Sequence, residues 1–327
     1  MLNLSKNSEA QGRQWGVILA GGDGKRLLPL TRTLTGDDRP KQFCAIVGEE
    51  TLLEQTRRRV QRSIDPEHIL LVMTEVHEQF YQDQVAGVPP PRLLIQPQNR
   101  GTAAAILYSL MRIRTFDAAA RVAFFPSDHY FLDDEAFARQ IELAFSLTES
   151  NPETVILLGM EPETPETSYG WIQPGSRFDN PFTDSTSHVE RFWEKPSGDL
   201  ACDLMGNGCL WNSFVMVGRV GSFLNLIRRT QPELFEAFKA IDGSYSTPAE
   251  REILSSLYAG ISSSGFSDDV LSACADGLAV LRCSGLGWSD LGEPVRVLSV
   301  LKRKSPQSAN EFEPSRGGSV ASSATAI

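Results

Sequence analysis

Trp15-Gly16-Val17-Ile18-Leu19-Ala20-Gly21-Gly22-Asp23-Gly24-Lys25-Arg26-Leu27 joins an apolar run to a glycine-rich turn that carries two cations. A continuous apolar run without alternation suits a strand buried on both faces. Glycines directly after it let the backbone turn tightly and bring N–H groups against phosphate oxygens, with Lys25 and Arg26 adding positive charge. Two familiar phosphate loops are excluded. The dinucleotide fingerprint GxGxxG matches Gly22 and Gly24 but meets Leu27 at its third glycine, which removes a nicotinamide-dependent dehydrogenase; a Walker A loop needs Ser or Thr after Lys25, where Arg26 stands. By itself the turn is weak evidence, because a plain structural turn can use the same glycines.

Working outward, similar apolar runs occur at 69–73, 93–95, 122–125 and 155–158. Between them lie segments of helical spacing. Segment 51–64 opens with Thr51 and Glu54 placed as a capping box, then sets Leu53, Thr56, Val60 and Ile64 on one stripe with Arg57, Arg58 and Arg62 outside it. Helices are also expected over 102–114, with Thr102 as N-cap, and over 134–148. Strands alternating with helices predict an α/β fold built on a doubly wound, mainly parallel, Rossmann-like sheet, whose ligands bind beyond the carboxyl ends of the strands. Gly21, Gln96 and Asp128 all stand there. Shorter β-like pieces at 169–173 and 188–193 are separated by Pro, Gly, Asp and Ser, and read as a small lobe, about 165–220, inserted between sheet strands. Segment 221–240 reads as a helix that Pro232 ends or kinks. Residues 1–13 are expected to be a flexible N-terminus and the Ser/Ala/Gly-rich 305–327 a disordered tail, leaving 14–304 as the main domain.

Composition narrows the partners. The chain of 327 residues is 41% hydrophobic and 22% charged, a globular profile, and its formal net charge of -10 argues against nucleic acid or an anionic membrane surface. Five cysteines without a CxxC pair suggest neither a zinc site nor a complete disulfide framework, and no signal peptide or membrane-spanning run is apparent, so a cytoplasmic protein is expected. The oligomeric state, a homo-oligomer included, stays open.

The glycine-rich turn, followed by Arg39-Pro40-Lys41-Gln42-Phe43, resembles the signature of sugar-1-phosphate nucleotidyltransferases. The likeness continues in order through Gln96-Pro97-Gln98-Asn99-Arg100-Gly101-Thr102-Ala103, Pro126-Ser127-Asp128-His129, Tyr169-Gly170-Trp171-Ile172, Val189-Glu190-Arg191-Phe192-Trp193-Glu194-Lys195-Pro196, Leu210-Trp211-Asn212-Ser213 and Gly287-Trp288-Ser289-Asp290-Leu291-Gly292. Within that family the Pro-Lys-Gln-Phe, Trp-Asn-Ser and Trp-Ser-Asp forms resemble mannose-1-phosphate guanylyltransferases. The resemblance implies transfer of a nucleotidyl group from a nucleoside triphosphate, GTP foremost, to a sugar 1-phosphate. It implies Mg²⁺ held by Asp128 and Asp290, and a catalytic set of Arg26, Lys41, Asp128, Lys195 and Asp290. Nucleotide binding would fall to Ala20, Gly21, Gly22, Gly24, Gln96, Gly101 and Thr102, and sugar binding to Gly170, Glu194 and Asn212, which makes the inserted segment of about 165–220 a sugar-binding lobe. Blander readings stand beside these: Asp128 and Asp290 as turn-capping carboxylates, Lys195, Glu194 and Asn212 as solvated surface groups, and His129 as a hydrogen-bonding neighbour with no catalytic role.

Two departures mark the chain. Gln96, Asn99 and Gly101 stand where guanylyl members carry Glu, Gly and Asn, which is closer to thymidylyl and uridylyl relatives, and Phe214 replaces the Gly expected after Trp-Asn-Ser. A non-catalytic nucleotide-sugar sensor on the same fold is the other class to weigh. It should have lost a carboxylate or a cation, whereas Arg26, Lys41, Asp128, Lys195 and Asp290 are all retained.

Overall fold

The computed structural model describes residues 14–304; the expected flexible N-terminus and disordered tail lie outside the described residues. In chain order the elements are β1 (Gln14–Leu19), α1 (Leu28–Thr35), α2 (Leu52–Val60), β2 (Ile69–Thr74), α3 (Glu78–Tyr81), β3 (Leu93–Gln96), α4 (Gly101–Phe116), β4 (Arg121–Pro126), α5 (Asp134–Ser150) and β5 (Val155–Met160). There follow β6 (Gly170–Arg177), β7 (Thr186–Glu194), α6 (Gly198–Gly206), β8 (Leu210–Arg219), α7 (Val220–Thr230), α8 (Pro232–Phe238), α9 (Glu250–Gly260), a π-helical turn (Phe266–Leu271), β9 (Leu278–Cys283) and α10 (Pro294–Lys304).

All five expected strands form, and burial explains their unbroken apolarity. Trp15 and Val17 face one core with Ile106 and Leu110 of α4, while Ile18 turns to a second core with Val60 of α2 and Phe137 and Ile141 of α5. Successive residues point to opposite faces, so a strand covered on both sides has no position left for a polar side chain.

Among the described residues nine strands run in the order β3-β2-β1-β4-β8-β5-β9-β7-β6. The expected mainly parallel sheet is corrected here to a mixed one. Strands β1 to β4 pair in parallel, as does β5 with β9, but β8 runs antiparallel between β4 and β5, and β7 is antiparallel to β6 and β9. The 178–185 connection between β6 and β7 is too short for a crossover helix, and only antiparallel neighbours can be joined so directly. An additional β8–β6 pairing closes β5, β9, β7, β6 and β8 into a cycle of paired strands.

Local signals behave as their chemistry requires, with one exception. The capping box is present: Thr51 Oγ1 accepts from the Glu54 amide at 3.2 Å while Glu54 Oε2 accepts from the Thr51 amide at 2.8 Å. Pro232 ends the predicted helix, so that α7 stops at Thr230 and α8 begins on the proline. Thr102 is not an N-cap. Helix α4 starts one residue earlier, at Gly101, and the Thr102 hydroxyl instead accepts from the Phe266 amide at 2.8 Å, a tertiary partner that outcompetes its own helix.

Candidate active site

A cleft of about 410 Å³ opens beyond the carboxyl ends of β1, β3 and β4. Of the expected residues it is lined by Gly21, Gly22, Arg26, Gln96, Gly101, Thr102, Asp128, Gly170, Glu194, Lys195, Asn212 and Asp290. Gly24 and Lys41 line an adjoining cleft of about 320 Å³, which shares Arg26 and Asp128 with the first. Ala20 lines neither. Its amide extends the ladder to the Val72 carbonyl at 2.8 Å and its side chain is buried.

The glycine-rich turn is held from below. Gln42 Nε2 donates to the carbonyls of Ala20 at 3.1 Å and Gly22 at 2.7 Å, and Thr74 Oγ1 donates to the Gly21 carbonyl at 3.0 Å. A Cβ on Gly21 would come within 2.7 Å of Thr74 Oγ1 and 2.8 Å of Gln96 Nε2, so only glycine fits between those strand ends. Gly24 has φ +61°, where a side chain is disfavoured. Gln96 is buried at the cleft floor; its Oε1 accepts from the Tyr258 hydroxyl at 3.1 Å and its Nε2 points to the Met73 carbonyl at 3.5 Å.

Lys41 and Asp290 tie the two carboxylate turns together. Lys41, only 7% exposed, donates to the carbonyls of Asp290 at 2.5 Å and Leu291 at 3.2 Å, and its Nζ lies 3.1 Å from Asp128 Oδ2. Asp290 Oδ1 accepts from the Tyr169 hydroxyl at 3.0 Å, the Gly292 amide at 2.8 Å and Arg296 Nη1 at 2.7 Å. Burial alone would raise the Asp290 carboxyl, but Lys41, His129 and Arg296 outweigh it and hold it below the ordinary aspartate range. Arg296 also lies over the Tyr169 ring at 4.4 Å and pairs with Glu166 at 3.0 Å. His129 Nδ1 accepts from Trp288 Nε1 at 3.2 Å. Burial lowers the pKa of His129, with Asp128 and Asp290 pulling the other way.

Across the cleft, Lys195 Nζ donates to Glu194 Oε1 at 2.6 Å. Burial raises the Glu194 carboxyl, with Lys195 offsetting part of the effect. Gly170 lies close beside this pair, and a Cβ there would stand 2.8 Å from Glu194 Oε2 and 2.7 Å from Phe192 Cζ. Lys195, Phe214 and Leu291 all adopt positive φ, at 47°, 60° and 47°. Backbone held in that region by non-glycine residues is strained and concentrates at functional sites.

Sequence reading named the polar groups but missed how they are held. Gln42 and Tyr169 lie inside the quoted motifs, where residue type alone did not disclose their partners. Arg296 had no signal at all, because it sits on α10, a helix with no predicted counterpart.

Among the described residues no three His, Cys, Asp or Glu side chains gather into a metal cage. Asp128 and Asp290 nevertheless share one cleft, and Asp290 Oδ2 has Arg26 as its ion-pair neighbour at 3.9 Å. One or two carboxylates completed by phosphate oxygens are the usual donor set for Mg²⁺, so these residues fit that ion together with a phosphate-bearing ligand.

Carboxylates, cations and a glycine turn meeting beyond strand ends define an α/β protein that carries its ligand crevice at the sheet's carboxyl edge. The chain belongs to the nucleotidyl transferase family, whose model matches residues 15–304. It is 31% identical over 288 residues to the xanthan biosynthesis protein XanB of Xanthomonas campestris, covering 87% of this chain and 58% of that protein. It is 27% identical over 291 residues to the mannose-1-phosphate guanylyltransferase ManC of Salmonella typhimurium, covering 86% of this chain and again 58% of the relative. The chain thus spans little more than half the length of these curated relatives. A solved structure described as a mannose-1-phosphate geranyltransferase from Thermus thermophilus superposes with a TM-score of 0.73 at 30% identity, covering 86% of this chain and 76% of that one. No helix among the described residues is long and apolar enough to cross a membrane.

Proposed function

We propose that the chain transfers a nucleotidyl group from a nucleoside triphosphate to a sugar 1-phosphate in the cytoplasm, with GTP and mannose 1-phosphate as the pair. The observation that carries this reading is the meeting, in one cleft, of the glycine turn, Arg26, Asp128 and Asp290 with Glu194, Lys195 and Asn212 from the opposite wall. A phosphate oxygen of the sugar phosphate attacks the α-phosphorus, a new P–O bond forms, and the bond from that phosphorus to the bridging oxygen breaks, releasing pyrophosphate. The nucleophile is already anionic, so no proton moves. Catalysis then rests on positioning and on neutralising the repulsion between two anions. Arg26 and the turn amides hold the triphosphate, Lys195 orients the sugar phosphate, and Glu194 and Asn212 take sugar hydroxyls. Lys41 acts by fixing both carboxylate turns. Asp128 and Asp290 would hold Mg²⁺, which when bound would supply charge neutralisation at the phosphates.

Mannose-1-phosphate guanylyltransferases among the relatives support the choice of GTP and mannose. Gln96 favours a second reading for the base. With one lone pair given to Tyr258, its amide keeps a donor and an acceptor, which suit thymine or uracil as well as guanine. Pyrophosphate release with GTP, dTTP, UTP, ATP and CTP against mannose, glucose, fucose and N-acetylglucosamine 1-phosphates tests both. Highest kcat/KM for GTP with mannose 1-phosphate is expected; a preference for dTTP or UTP overturns the guanylyl assignment, and release with no pair overturns the transferase.

A further inference from the structure

We propose that Phe214 limits the size of the acceptor that the cleft admits, making it a specificity-determining residue for the transfer proposed above, on which this inference rests. The pairing of β5 with β8 slips between Leu157↔Met216 and Gly159↔Asn212, so that Ser213, Phe214 and Val215 stand opposite the single residue Leu158. Ser213 fills the resulting gap, its hydroxyl donating to the Leu158 carbonyl at 2.7 Å and accepting from the Val215 amide at 3.2 Å. Bulges of this kind re-aim a side chain beside a site. Here the bulge drives Phe214 to φ +60° and sets it in the cleft wall. A glycine would meet that conformation without strain, whereas most residues carrying Cβ, Phe among them, do not.

Phe214 lines the same cleft as Glu194, Lys195 and Asn212, half-buried and packed against the core that holds Val72 and Ala105. The Phe214 amide donates to Asn212 Oδ1 at 3.0 Å. An amide held by its oxygen keeps two N–H donors for a hydroxyl, and the ring beside it removes room for anything larger. The class of acceptor this wall favours is a hexose 1-phosphate with free hydroxyls over the bulkier 2-acetamido hexose 1-phosphate.

The test uses the full chain and its Phe214→Gly variant, with Phe214→Asn as a smaller side chain that tolerates the left-handed region. Calorimetric titration with mannose 1-phosphate and N-acetylglucosamine 1-phosphate is paired with pyrophosphate release. The preference of the glycine variant should shift toward the acetamido sugar by about tenfold or more, the scale on which pocket size discriminates, with the asparagine variant shifting in the same direction. An unchanged affinity ratio in both variants, a shift in nucleotide preference instead, or binding of neither sugar phosphate to wild type overturns the proposal. A shifted affinity ratio without pyrophosphate release by wild type would sustain the role of Phe214 in binding and overturn the transferase reading alone.

Discussion

Lys41 shows how one side chain can serve a site through its frame. Its ammonium, 249 residues before Asp290 in the sequence, joins the Asp290 and Leu291 carbonyls to Asp128. Lys41→Met would strand buried acceptors and an unpaired carboxylate; we expect about 3 kcal/mol of lost stability, read from urea unfolding, along with lost turnover. Asp128→Asn and Asp290→Asn should each cut turnover by on the order of a hundredfold while the fold survives, and full activity of both variants in chelator would refute the metal assignment. Asp290 also predicts a pH effect. Its folded carboxyl lies below the ordinary range. The stability it contributes is therefore complete above the unfolded value, near pH 4, and is lost as pH falls through the lowered folded value. Asp290→Asn should flatten the acid limb of stability against pH, and an equally steep limb in the variant would remove Asp290 as its source.

Individual elements deliver these side chains, and their energetics are separable. The reciprocal bonds of Thr51 and Glu54 start α2. Thr51→Ala should cost about 1 kcal/mol in thermal or urea unfolding. Helix α10 has a different task. Its residues Val297, Val300 and Leu301 form a third apolar cluster with Leu27, just past the glycine turn, and Leu291, just past Asp290. One helix thereby braces both ends of the cation–carboxylate strut, while Arg296 on the same helix reaches Asp290 directly. Leu301→Ala should lose about 2–5 kcal/mol, and turnover should fall with it if the brace positions Asp290. Stability loss with unchanged turnover would limit α10 to a packing role.

On the scale of the whole molecule, the cleft draws on both halves of a mixed sheet. Gly21, Gln96 and Asp128 come from the ends of parallel strands, Gly170, Glu194 and Asn212 from the antiparallel set, and Asp290 from beyond β9. A ligand spanning the cleft must bind the folded chain and not the unfolded one. A nucleotide sugar at about a hundred times its Kd should add about 2.7 kcal/mol of apparent stability, measured as a concentration-dependent rise in Tm. No shift with GDP-mannose would count against that ligand.

The capping box, the stop at Pro232 and the glycine turn were legible in the sequence because each depends on contacts or conformational limits within a few residues, and the strands because burial on both faces leaves an unbroken apolar run. The family motifs also disclosed most of the polar groups that line the cleft. The direction of β8, its bulge at Phe214, the diversion of Thr102 to Phe266 and the arrival of Arg296 at Asp290 were decided only by the tertiary structure. These features depend on partners brought together from distant parts of the chain. Such a partner leaves no periodicity or spacing in the local sequence, because its position follows from how the strands share one sheet.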